Sequence, residues 1–223
     1  MNNKLAQTWK DNRGFILFVL LMLVFRSAVA DWNHIPSGSM YPGIIVGDRI
    51  GVNKLAYDVQ LPFTGVSLYH LNDPARGEIV IFSHPETGIR LIKRVVGIPG
   101  DTLAMRDNRL ILNGQALTYT ALNQGDNHSD WLEQLPGAEG AISTHTIRIH
   151  NTASSRANFD TITVPEGHYV MLGDSRDNSV DSRVFGFVPR DTLIGRASQV
   201  VISLDTENFY LPRGDRFWQP IDG

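Results

Sequence analysis

Ile89-Arg90-Leu91-Ile92-Lys93-Arg94-Val95-Val96, running into Gly97-Ile98-Pro99-Gly100-Asp101, reads as a β-strand followed by a turn. Within Leu91–Val96, strand periodicity puts Leu91, Lys93 and Val95 on one face and Ile92, Arg94 and Val96 on the other, so each face of that run is apolar apart from one cation. A lysine among buried neighbours loses solvation, its charged form is disfavoured, and a neutral amine is a usable general base. The same run also fits a snorkelling or edge-strand lysine, and Arg94 competes with Lys93 for the solvated side.

Outward from this strand the pattern repeats. Asp48–Leu55, Gly77–Phe82, His168–Leu172 and Thr192–Leu204 are β-rich, and Arg109–Leu117 holds the Asn113-Gly114 pair, a strong hairpin signal. Helical periodicity of useful length is missing beyond the N-terminal segment, so the composition predicts a mainly β, mostly antiparallel domain. Leu122–Phe159 is rich in Asn, Ser, Gly and Asp and reads as an insertion at about 120–160, with a strand over Thr146–Ile149. There are no internal repeats.

The chain has 223 residues, enough for one buried domain and an appendage. A net charge of −3 with scattered Lys and Arg gives no pull toward nucleic acid. Cysteine is absent, which excludes disulfides, a thiolate nucleophile and a cysteine metal site. The seven histidines lack metal-ligand spacing, and no dinucleotide or Walker loop occurs, so no cofactor and no metal are expected.

Gly14–Ala30 is the one membrane candidate, with Lys4, Lys10 and Arg13 before it and Asp31 after it. Ala28-Val29-Ala30 fits the exit of a cleaved secretory signal. An uncleaved span reaches 17 residues only by including Arg26, which can snorkel. Under both readings the positive-inside bias sends residues 31–223 to the far side of the membrane.

Three elements can carry chemistry. Pro36-Ser37-Gly38-Ser39-Met40-Tyr41-Pro42 offers a hydroxyl in a turn; it reads equally as a linker, except that apolar Met40 suits a core. Lys93 is the second. Gly173-Asp174-Ser175-Arg176-Asp177-Asn178-Ser179-Val180-Asp181-Ser182-Arg183 is the third, either a solvated charged loop or a rigid polar network. No hydrolase nucleophile elbow is present, since Ser39 is followed by Met40 and Tyr41. A serine with a lysine base is the arrangement left, although sequence separation alone does not bring Ser39 to Lys93.

These three stretches, with Gly47-Asp48-Arg49-Ile50, resemble the boxes of the bacterial type I signal peptidases, membrane-bound serine-lysine endopeptidases. The resemblance covers the apolar segment and nearly all of residues 31–223. It implies Ser39 as nucleophile, Lys93 as general base, and Ser37 with the Ser39 amide as the oxyanion hole. It implies Ser179 as the hydroxyl that orients the lysine, and Asp181 and Arg183 as a supporting ion pair. Ser175 stands where asparagine is common in the family, and Phe185 where tryptophan is usual.

The implied fold is an antiparallel two-sheet catalytic domain with one N-terminal transmembrane helix. Residues 1–13 form a cytoplasmic tail, 14–30 the span, and 31–223 a periplasmic domain, which places the protein single-pass in the bacterial inner membrane. The implied activity is removal of signal peptides from exported preproteins after small residues (A-x-A). The implied partners are preprotein signal peptides, the lipid bilayer and the neighbouring secretion translocon, with no nucleic acid. We expect the apolar residues of Leu61–Tyr69 to face lipid. Competing readings are a paralogue dedicated to one substrate, such as a pilin precursor, and a non-catalytic β interaction domain. A self-cleaving repressor is disfavoured because an apolar segment replaces its DNA-binding domain.

Overall fold

The computed structural model describes residues 2–137, 141–152 and 154–221. After helix α1 (Asn2–Ala28) come β1 (Ala30–His34), β2 (Asp48–Asn53), β3 (Asp58–Gln60), β4 (Ser67–His70), β5 (Ile79–Ser83) and β6 (Arg90–Gly97). Next are β7 (Thr102–Arg106), β8 (Arg109–Leu112), β9 (Gln115–Ala116), β10 (Thr118–Gln124), β11 (His128–Pro136) and β12 (Ile142–His150). The chain ends through β13 (Phe159–Thr163), β14 (His168–Leu172), the single turn α2 (Ser182–Phe185), β15 (Val188–Pro189), β16 (Leu193–Asp205), β17 (Leu211–Pro212) and β18 (Gln219–Pro220).

The main sheet has nine strands, ordered β1-β2-β16-β5-β6-β14-β15, with β17 and β18 added to β16. β6 lies inside it, antiparallel to β5 (Val80 opposite Lys93) and to β14 (Leu172 opposite Arg94). Because β14 stops at Leu172, the Arg90–Lys93 half of β6 is paired only on its β5 side. That half-open edge positions the site.

Three apolar clusters hold the sheet. Ile35, Met40 and Ile44 pack with Ile50, Ile79, Ile81 and Val200, so the chain after β1 is pinned by its own side chains. Met40 is fully buried, which excludes the linker reading of its stretch. The other two clusters centre on Val96, Leu103 and Leu172, and on Val80, Phe82, Val95 and Met171. Alternate residues of β6 thus feed different clusters.

Two expectations are corrected. No helix among the described residues is long and apolar enough to cross a membrane. Helix α1 is 27 residues long, but its uncharged run Gly14–Phe25, bounded by Arg13 and Arg26, has only 12 residues. At 1.5 Å per residue that spans roughly 18 Å, against roughly 30 Å of bilayer hydrocarbon. The transmembrane helix expected at 14–30 is therefore overturned, and with it the single-pass placement in the inner membrane.

The second correction concerns sheets. Instead of two there are four among the described residues: the main sheet, β13-β7-β8-β9, β10-β11-β12 and the hairpin β3-β4. The segment read as an insertion supplies the three-stranded β10-β11-β12 sheet, with the expected strand over Thr146–Ile149 inside β12, although Ala138–Gly140 and Ala153 within it lie outside the described residues. β10 is almost wholly exposed, β11 and β12 are half-buried, and polar residues run through all three, so no long apolar run marks them.

Candidate active site

Ser39 sits in the turn after β1, with Met40 driven into the core on one side and Gly38 accepting from the Tyr41 amide on the other. The Ser39 backbone carbonyl accepts a hydrogen bond from the Ser175 amide at 3.1 Å, tying this turn to the polar loop after β14. Gly173 makes the approach possible: a Cβ there would lie 2.5 Å from the Ser39 carbonyl oxygen and would also strike the Ser179 hydroxyl.

Lys93, 3% exposed, extends from the half-open edge of β6 and donates to Ser39 Oγ and to the Ile92 carbonyl, each at 2.8 Å. Burial pushes its pKa down to about 8, and Arg183 adds to that, while Asp181 and Asp174 pull the other way. At pH 7 about a tenth of the amine is therefore unprotonated, far more than for a free lysine. Its lone pair then points at a serine hydroxyl.

Behind the lysine lies a buried scaffold. Arg94 forms a two-point pair with Asp174, both contacts at 2.9 Å, and donates to the Gly77 carbonyl at 2.7 Å. Arg183 grips Asp181 at 2.8 and 2.7 Å, and Asp181 accepts from the Gly173 amide at 3.0 Å. Burial alone would raise the Asp181 carboxyl, but the Arg183 guanidinium holds it below the usual range. Arg176, also fully buried, donates to Glu133 of β11 at 2.6 Å, and Tyr119 donates to the same carboxylate at 2.6 Å. His145 Nε2 lies 3.1 Å from Glu133.

Of the six residues singled out from the sequence, Ser39 and Lys93 are in direct contact, and Asp181 and Arg183 form an ion pair behind them. Ser37 is exposed on the wall of a groove of about 190 Å³ that also reaches Ser39 and Lys93. Ser179 is buried near Gly173 and the Ser39 carbonyl, but its hydroxyl makes no hydrogen bond to Lys93. Sequence reasoning missed the Arg94–Asp174 pair, the Ser175 amide, the close approach at Gly173 and the Glu133 network. The cation between Ile92 and Val96 on the second face of β6 was the available signal for Arg94; Glu133 had none. Among the described residues no cluster of His, Asp or Glu is placed to hold a metal.

A buried neutral amine against a hydroxyl, at the head of a groove with an unpaired strand edge, can activate the oxygen for attack on a carbonyl in an extended chain. Residues 9–202 match the family described as "Signal peptidase, peptidase S26". The chain is 36% identical over 203 residues to signal peptidase I of Pseudomonas fluorescens, covering 86% of this chain and 71% of that one. Against signal peptidase I of Pseudomonas aeruginosa the identity is 34% over 212 residues, with the same coverage. A crystal structure of a signal peptidase I from Enterococcus faecalis aligns with 56% of this chain and 97% of its own, at 30% identity and a TM-score of 0.37. On the match over residues 9–202, the chain belongs to the signal peptidase family, peptidase S26.

Proposed function

We propose that this protein is a signal peptidase I-type serine endopeptidase acting on exported preproteins, with Ser39 as nucleophile and Lys93 as general base. One observation carries the residue assignment: Lys93 Nζ lies 2.8 Å from Ser39 Oγ, with its pKa lowered to about 8 by burial. The neutral amine takes the hydroxyl proton as Oγ adds to the scissile carbonyl. The oxyanion is met by the Ser39 amide and the Ser37 hydroxyl. The resulting ammonium gives its proton to the leaving amine, and water, deprotonated by the same lysine, releases the acyl group.

In this reading Asp181 and Arg183 keep the loop after β14 rigid, and Ser179, buried beside Gly173, is the hydroxyl assigned to orient the lysine amine. Residues 31–223 act as the catalytic domain, with the 120–160 segment as its insertion. Small residues at the third and first positions before the cut suit a narrow groove that larger side chains would clash with. The β3–β4 hairpin, whose Phe63 and Leu68 are 71% and 60% exposed, rests on the bilayer surface near the secretion translocon.

Cleavage of a purified preprotein by wild type and by Ser39→Ala, with the product termini mapped by mass spectrometry, tests this. Wild type should cut after a small residue and Ser39→Ala should not cut. Cutting by Ser39→Ala at the wild-type rate would remove the assignment.

A further inference from the structure

The groove that leads from Ser39 and Lys93 ends between Asn33 of β1 and Arg90, the first residue of β6. Arg90 Nη1 donates to Asn33 Oδ1 at 3.3 Å, so one side-chain contact joins the two walls. Since a guanidinium only donates, this contact fixes the Asn33 amide, and its Nδ2 is left without an acceptor. Two donors without a full set of acceptors therefore meet at this end.

The charge there is unbalanced as well. Asp31 is the one carboxylate within reach of Arg90, at 3.6 Å, and it also faces Arg26 at 3.1 Å and Lys54 at 3.7 Å. One negative charge is shared among three cations, and the Arg90 side chain is 54% exposed. An acceptor-rich, negatively charged group complements such an end.

We propose that Arg90, with Asn33, reads substrate charge: it favours an acidic side chain over a basic one at the fourth position before the scissile bond, since the third is reserved for a small residue. This rests on the function proposed above. Arg90 precedes Lys93 by three strand residues, roughly 10 Å at about 3.3 Å each, and an extended substrate along the free edge of β6 covers that distance at the same rise. The side is the acyl side because recognition in that reading lies in the residues before the cut. Arg90 is thus a specificity-determining residue and takes no part in proton transfer.

The test is a set of preprotein-derived peptides with Asp or Lys placed singly at each position flanking the cut of a neutral parent. The Asp-to-Lys ratio of kcat/KM is compared within each enzyme, so a general loss of activity cancels. Wild type should show a ratio of about five at the fourth position before the cut, weakening with added salt. Arg90→Glu should invert the ratio at that position alone, and Arg90→Lys should keep it. Identical ratios in wild type and Arg90→Glu would overturn the inference, as would inversion at a position after the cut. Failure of wild type to cut the neutral parent would instead overturn the proposed function and this inference with it.

Discussion

The backbone carbonyl of Ser39 accepts a hydrogen bond from the Ser175 amide, 3.1 Å away. The nucleophile turn and the polar loop after β14 are therefore one unit, although 136 positions separate the two residues (175 − 39). Lys93 enters that unit from the main sheet, so catalytic geometry depends on three distant stretches staying in register.

Gly173→Ala should disable the enzyme without touching a reacting group. The new Cβ would lie 2.5 Å from the Ser39 carbonyl oxygen, and backbone cannot give way as a side chain can. Relieving that clash shifts the Ser39 turn, and a misplacement of about 1 Å is worth on the order of a hundred-fold in rate. Steady-state cleavage beside a circular dichroism spectrum checks it: kcat/KM should fall while the β signal persists.

Asp174→Asn should destabilise the fold. It leaves the Arg94 guanidinium, 4% exposed, opposite a neutral amide. Removing one partner of a buried pair typically costs about 3–5 kcal/mol. A urea titration should show the midpoint falling with little change in slope.

Acid should weaken the protein through His145. Burial first, and Arg94 second, hold its pKa below the usual value, against the pull of Glu133 and Asp174. A group whose pKa is lowered by folding stabilises above its unfolded pKa, about 6.5 for histidine, and loses that contribution as pH falls. Stability should be level above about pH 7 and decline toward pH 5, and His145→Gln should decline less over the same window. Glu133, held low by Arg176 and His145 despite full burial, has the same sign but acts at lower pH, below about 4.3.

Phe63→Ser with Leu68→Ser should weaken binding of the full chain to lipid vesicles, by roughly ten-fold per side chain. Vesicle co-sedimentation reads this directly. Unchanged binding would remove the β3–β4 hairpin from the lipid-facing surface.

The mainly β character was legible in the sequence wherever strands carried apolar runs, as in Gly77–Phe82 and Ile89–Val96. It was legible in β12 only over Thr146–Ile149, and not in β10 and β11, whose polar residues leave no apolar run. The apolar N-terminal segment misled in the opposite direction: its composition suggested a span, but Arg13 and Arg26 cut the uncharged run to 12 residues. At the site, Ser39 and Lys93 were candidates on chemistry alone, each beside a linker or snorkelling alternative, and the resemblance to the signal peptidase boxes is what joined them. Gly173 and the Ser175 amide act through backbone, and Glu133 arrives from a distant strand. Chemistry of that kind leaves no mark in a local stretch of residues.

The central claim is that an unprotonated Lys93 activates Ser39, and the pH dependence of kcat/KM for preprotein cleavage tests it most directly. Because the folded pKa of Lys93 is about 8, kcat/KM should rise as the amine loses its proton and level off above that value. Below it, the rate should fall about ten-fold per pH unit. A profile that stays flat from about pH 5 to 9, with chemistry limiting the rate, would contradict a lysine base.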